Sequence, residues 1–276
     1  MKILFIGGGN MATALIGGLL KKGWPRDNLS VVEIDAQARE RLGRELGVRT
    51  HGEITGSAVD ADCIVLAVKP QHVRGVAHAL APLAGRALFV TIAAGIRVRD
   101  LSRWLGGHQR IVRAMPNTPA LALAGMTGLY AAPAVSQDDR SRADEILSAA
   151  GSTLWVEDEA QIDGITAISG SGPAYVFYFI EALQQAAADL GFDDGAARTL
   201  ALQTFSGAVK LASESKDPVA TLRARVTSKG GTTECALAEL EKDGVRQAIV
   251  RAARAAAERS RELGDALGHD QPERST

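Results

Sequence analysis

The sequence predicts an α/β protein: a Rossmann-like, mostly parallel sheet domain followed by an all-helical domain. Three observations carry this. Short continuous apolar runs alternate with amphipathic stretches through the first half, as in a sheet covered on both faces. A Gly-rich turn directly follows the first apolar run. After about Asp158 the texture changes, and no convincing strand pattern follows. The chain has 276 residues, which suits two domains at roughly 150 residues each. We expect a sheet domain over 1–157, a helical domain over 158–268 and a polar, frayed tail over 269–276.

Ile3–Ile6 reads as a buried strand, and Asn10–Lys22 as a helix with Met11, Leu15, Ile16 and Leu19 at helical spacing. Leu29–Ile34 reads as the second strand and Ala36–Leu46 as a helix with a charged face. Cys63–Val68, Ala87–Ala94 and the run near Arg110 supply three more strands, with weaker ones at Thr127–Ala131 and Thr153–Val156. In the second half, Ala174–Leu190, Ala196–Ser215, Thr233–Lys242 and Val245–Leu263 read as helices.

Lys+Arg is 31 against 32 Asp+Glu, a formal net charge of -1. That balance argues against a nucleic-acid partner, which calls for a basic excess or patch. Apolar residues make up 46% and charged residues 23%, as in an ordinary folded protein. The two cysteines, Cys63 and Cys235, lie far apart and have no partner at metal-ligand spacing. They argue against a disulfide framework or a metal site and for a reducing, cytoplasmic setting. The apolar run Ile3–Ile6 breaks at three glycines, unlike a signal peptide, and no stretch has the length of a membrane span.

Gly7-Gly8-Gly9-Asn10-Met11-Ala12 fits G-x-G-x-x-A between a strand and a helix, the context in which that pattern means dinucleotide binding. Gly7 allows the tight turn, Gly9 lets backbone approach a pyrophosphate, and Ala12 lets helix pack on strand. An acidic residue at the end of the second strand hydrogen-bonds a free ribose 2'-hydroxyl and repels a 2'-phosphate. Here that residue is Glu33, so charge alone leans towards NADH over NADPH. Arg39 and Arg41 on the next helix could still rescue a phosphate. Ala67-Val68-Lys69-Pro70, Ala93-Ala94-Gly95 and Met115-Pro116-Asn117-Thr118-Pro119 also follow strands. In open α/β sheets that is where ligands bind.

In the second half, Ser169-Gly170-Ser171-Gly172-Pro173 leads into a helix, with Pro173 suited to the first helical turn. Val226-Thr227-Ser228-Lys229-Gly230-Gly231-Thr232-Thr233 is a polar, Gly-rich loop before another helix. Unpaired N–H groups at such a helix start suit a carboxylate, and Ser228, Thr232 and Thr233 add hydroxyls. The five histidines are scattered, mostly as expected surface residues, and none sits in a catalytic pattern. A hydroxyl-rich site with no evident general acid favours hydride addition to an already protonated imine.

Taken together, FIGGGNMATALIGGL, AVKP, RAMPNTP, GMTGLYA, SGSGPAYVFYFIEAL and VTSKGGTTECALAEL resemble the pyrroline-5-carboxylate reductases, in order along nearly the whole chain. The resemblance implies NAD(P)H-dependent reduction of 1-pyrroline-5-carboxylate to L-proline, and an interlocked dimer that assembles further, commonly to a decamer. It implies cofactor contacts from Ile6, Gly7, Gly8, Gly9, Asn10 and Met11, from Ala67, Val68, Lys69 and Pro70, and from Ala93, Ala94 and Gly95. Asn117, in the loop after the fifth strand, is expected by its position to be a further cofactor contact. It implies a substrate loop of Ser228, Gly230, Gly231, Thr232 and Thr233, whose amides take the carboxylate and whose Thr233 hydroxyl faces the ring nitrogen. Glu214 occupies the region of a family glutamate near the substrate. NADPH-preferring relatives carry Ser, Thr, Asn or Arg where this chain has Glu33-Ile34.

Two other readings compete. A β-hydroxyacid dehydrogenase also joins a Rossmann domain to helices, but places a catalytic lysine on the helix after the SGSGP-type turn. The helix here, AYVFYFIEALQQAAADL, has none. A sensor that binds nicotinamide without turnover would have no need of the complete loop at Ser228–Thr233.

Overall fold

The computed structural model describes residues 1–54 and 60–269. Eight strands form one sheet: β1 Ile3–Ile6, β2 Leu29–Val32, β3 Arg49–His51, β4 Cys63–Leu66, β5 Leu88–Thr91, β6 Ile111–Met115, β7 Gly125–Ala131 and β8 Gly151–Val156. Their spatial order is β3-β2-β1-β4-β5-β6-β7-β8. All neighbours are parallel except β6 and β7, which are antiparallel. The first helices are α1 Asn10–Lys21, α2 Ala36–Leu46, α3 Pro70–Leu80, α4 Val98–Trp104, α5 Gln137–Leu147 and α6 Gln161–Ile165. Then follow α7 Gly172–Asp189, α8 Asp194–Glu214, α9 Val219–Arg225, α10 Thr232–Lys242 and α11 Val245–Gly268.

The order follows from composition. β1, β4 and β5 bury every residue, so each needs cover on both faces, which crossover helices supply. α1 buries Ala12, Leu15, Ile16 and Leu19, the face its apolar spacing marked out. β1 lies between β2 and β4, with Ile3 opposite both Leu29 and Cys63. The chain therefore turns to opposite sides after β1 and after β3. The resulting crevice opens beyond the carboxyl ends of β1 and β4.

The chain divides into two compact units: 1–171 with the chain from Ala256 onward, and Gly172–Ala255. The sheet unit extends past the boundary expected at 157. Its extension is held by a buried ionic cluster. Arg113 Nη1 on β6 donates to Glu159 Oε1 at 3.0 Å, and Ser260 Oγ on α11 donates to Asp163 Oδ1 at 2.7 Å. The tail expected over 269–276 lies outside the described residues apart from His269. No helix among the described residues is long and apolar enough to cross a membrane.

The second unit is helical, and its apolar side chains are poorly covered within one chain. α8 runs for 21 residues yet buries only Ala197 and Ala201, and α10 buries none. Phe177, Tyr178, Val209 and Val219 are each at least 60% exposed. An apolar surface of this extent marks a contact with another protein surface.

At the strand ends opposite the crevice, an ion pair ties β6 to α5. Arg110, just before β6, grips Asp139 on α5 through Nε at 3.0 Å and Nη2 at 2.7 Å. Asp139 is almost fully buried, and this guanidinium holds its carboxyl below the usual carboxylate range. We predict that Asp139→Asn costs about 2 kcal/mol of stability at neutral pH, since it removes a bidentate charged contact to a buried group. A carboxyl with a depressed folded pKa stabilises above its unfolded pKa and loses that contribution as pH falls through the folded one. The melting temperatures of wild type and variant should therefore converge on acidification below the usual carboxylate range. A gap that stays constant as the pH falls below that range contradicts the assignment.

Candidate active site

The crevice is floored by Gly7–Gly9. Gly7 has φ of +98°, and a Cβ there would lie 2.8 Å from the Ala67 carbonyl oxygen. Only glycine permits both the turn and this approach of the two strand ends. The Gly7 amide donates to Val32 O and the Ala67 amide to Ile6 O, each at 2.8 Å, so β1, β2 and β4 converge on this point. Gly9 is the N-cap of α1, and space beside its Cα is open to beyond 4 Å. No side chain caps α1, so the first-turn amides at Asn10, Met11 and Ala12 face outward as donors. This is a cradle for a pyrophosphate.

Glu33 bends back over this turn. Its Oε2 accepts from the Gly8 amide at 2.8 Å and its Oε1 from the Asp35 amide at 3.0 Å. Arg39 Nη1 is occupied by the Glu33 and Ile34 carbonyls, at 2.8 Å each. Asp35 caps α2 by accepting from the Ala38 amide, so the two acidic residues have separate duties.

The remaining loops of this unit stand at the same ends of their strands. Ala67 and Val68 are half-buried after β4, exposed Lys69 is the N-cap of α3, and Pro70 is its first residue. Ala93, Ala94 and Gly95 join β5 to α4. Asn117 follows β6, and its carboxamide is fully engaged with protein. Nδ2 donates to Ser169 O and Oγ at 3.1 Å, and Oδ1 accepts from the Met126 amide at 2.8 Å. Asn117 thus ties its loop to a π-helical turn, Thr166–Gly170, that continues α6. Sequence spacing did not indicate that turn, because one widened turn leaves no mark on apolar periodicity.

In the helical unit, Ser228–Thr233 links α9 to α10. Gly230 has φ of +73°, Gly231 is the N-cap, and its amide donates to Ser228 O at 3.0 Å. No side chain caps this helix start. The first-turn amides at Thr232, Thr233 and Glu234 are unpaired donors, and the Thr233 hydroxyl has no protein partner among the described residues. Glu234 Oε2 accepts from the Gly230 amide at 2.6 Å, which fixes the loop. Sequence reasoning missed this contact, although an acidic residue three positions after an N-cap is a known signature. Glu214 is the exposed last residue of α8 in the same unit.

The titratable groups elsewhere show no sign of chemistry. Cys63 is fully buried, and burial pushes its thiol up, out of the reactive range. His108 departs from the expected surface placement. It is half-buried, its Nε2 lies 3.0 Å from Ala87 O, and burial pushes its pKa down. It sits by the start of β5, away from the crevice.

Comparison with known proteins covers both units. A family model described as pyrroline-5-carboxylate reductase dimerisation matches residues 159–263. One described as NADP oxidoreductase, coenzyme F420-dependent, matches residues 2–95. The pyrroline-5-carboxylate reductase of Pseudomonas aeruginosa is 44% identical over 268 residues, 97% of this chain and 98% of the relative. The structure of the Coxiella burnetii pyrroline-5-carboxylate reductase superposes with a TM-score of 0.90 at 40% identity, covering 95% of this chain and 98% of that one. That of the Plasmodium falciparum enzyme, with NADP bound, superposes at 0.85 and 30% identity, covering 96% and 98%. With relatives of this identity over almost its full length, and a dimerisation region where its helices leave apolar surface bare, the chain belongs to the pyrroline-5-carboxylate reductase family.

Proposed function

We propose that this protein reduces 1-pyrroline-5-carboxylate to L-proline with a reduced nicotinamide cofactor, the last step of proline biosynthesis. The observation that carries the reading is the pair of uncapped, glycine-led helix starts, at α1 in the sheet unit and at α10 in the helical unit. One suits a dinucleotide pyrophosphate and the other a small carboxylate.

The residues present fit a dinucleotide. Gly9 leaves open space where a phosphate must approach, and the α1 amides stand unpaired beside it. Ile6–Met11 hold the diphosphate, Ala67–Pro70 and Ala93–Gly95 line the path beyond it, and Asn117 supports the loop after β6. When bound, the reduced nicotinamide supplies the hydride. The protein binds the substrate carboxylate through the amides after Gly231, with Ser228, Gly230 and Thr232 shaping the loop and Glu214 near it. Thr233 Oγ1 accepts from the protonated ring nitrogen and orients it. Hydride adds to the imine carbon, the C=N bond becomes C–N, and the proton already on nitrogen stays there. No general acid is required.

The helical unit forms the dimer, and further assembly to a decamer is part of this proposal. Both cysteines are free, which suits a cytoplasmic enzyme.

Glu33 disfavours NADPH in two ways. Its negative charge opposes a 2'-phosphate, and its oxygens already hold the Gly8 and Asp35 amides that an anion would use. We predict that Glu33→Ser raises the ratio of kcat/KM for NADPH to that for NADH by about tenfold or more, the size of relieving a like-charge contact. An unchanged ratio removes Glu33 from cofactor choice.

The reaction itself is tested by following 1-pyrroline-5-carboxylate-dependent oxidation of NADH and NADPH, with L-proline identified as product. Thr233→Ala should lower kcat/KM for the imine by about 1–3 kcal/mol, the loss of one hydrogen bond to a charged group. Wild-type rates in the variant would exclude Thr233 from the substrate site. Absence of turnover in a wild-type protein that binds cofactor would support a non-catalytic sensor instead.

A further inference from the structure

The last turns of α11 read Leu263-Gly264-Asp265-Ala266-Leu267-Gly268, with two glycines four apart on one helix face. Glycine is a poor helix former, so a repeated glycine calls for a packing reason. Here the reason is on view. A Cβ on Gly264 would fall 2.9 Å from Arg97 Nε, and one on Gly268 would fall 2.6 Å from Asp100 Oδ2. The bare helix face lets the start of α4 lie directly against it.

Arg97 uses that approach. Its Nη1 donates to Asp265 Oδ1 at 2.6 Å and its Nη2 to the Arg261 carbonyl at 3.1 Å. Six residues on, Arg103 Nη2 donates to the Gly268 carbonyl at 2.7 Å. Arg97 is the N-cap of α4 and stands two residues after Gly95. Gly95 itself has φ of +76°, and a Cβ there would meet Leu267 Cδ1 at 3.0 Å. The loop has little hold on itself. The Ala93 amide reaches Thr91 Oγ1, and the Ile96 amide reaches Ala93 O, only at 3.4 Å each. Two short, charge-assisted holds fix the exit of this loop: α11 grips Arg97, and the Val98 amide donates to Glu159 Oε1 at 2.8 Å.

We infer that Arg97 is a positioning residue: gripped by the end of α11, it holds the Ala93–Ala94–Gly95 loop in the geometry that cofactor binding requires. The inference rests on the cofactor reading given above. The far end of the chain, distant in sequence from every dinucleotide motif, thereby becomes part of the cofactor site's support.

The test uses the full chain and the variants Arg97→Gln, Arg97→Lys and Asp265→Asn. Asp265 is 61% exposed, so its neutral variant is expected to fold. KM for NADH should rise about fivefold to tenfold in Arg97→Gln, as expected for losing charge-assisted hydrogen bonds at a partly exposed site. At saturating NADH, kcat and the KM for 1-pyrroline-5-carboxylate should stay within about twofold. Arg97→Lys should recover part of the loss, and Asp265→Asn should shift the NADH value in the same direction by less. Binding of NADH alone, read from its fluorescence, should weaken in parallel. A lowered melting temperature with an unchanged KM for NADH overturns the inference and leaves Arg97 a structural brace. A rise confined to the KM for the imine overturns it as well. A wild-type protein that oxidises neither cofactor with this substrate defeats the functional reading instead.

Discussion

Unpaired backbone N–H groups at two helix starts organise this protein. A helix leaves several amides without partners at its beginning, and most proteins satisfy them with a side chain. This chain does so at three helices: Asp35 caps α2, Ser136 caps α5 and Asp193 caps α8. At α1 and α10 it places Gly9 and Gly231 instead. Glycine brings no oxygen to those amides and no side chain to block an approach. Both helix starts therefore leave their first amides open to an anion.

The rest of the structure serves that arrangement. The α1 start is usable only because Gly7 lets β1 and β4 end almost in contact, which puts the crevice directly above the helix. The buried strands fix that geometry, and the Arg110–Asp139 pair ties β6 to α5 at the opposite strand ends. Glu33 brings a negative charge to this turn, on the Gly8 and Asp35 amides. The α10 start belongs to the helical unit, which leaves apolar surface bare within one chain and matches the dimerisation family model.

Much of this was legible in the sequence, for identifiable reasons. Strands buried on both faces are continuous apolar runs, so β1, β4 and β5 stand out, and glycines in a strand–helix turn announce the cradle. β3, at the sheet edge, has only three residues, none fully buried, and leaves no such run. α9 is seven residues with none buried and shows no periodicity to find. The site's polar wiring was the least legible part. Asn117 looked like a ligand contact by position, yet its carboxamide is spent on Ser169 and Met126, partners that no local pattern connects. The grip of α11 on Arg97 joins residues 168 apart, and only the paired glycines at 264 and 268 hinted at it.

The most direct test of the central claim compares two cyclic imines that differ only in the carboxylate: 1-pyrroline-5-carboxylate and 1-pyrroline. If the amides after Gly231 hold the carboxylate, removing it should lower kcat/KM by about a hundredfold, the value of charge-assisted bonds to several N–H groups. Equal kcat/KM for the two would contradict the claim and leave the α10 helix start without a role in substrate recognition.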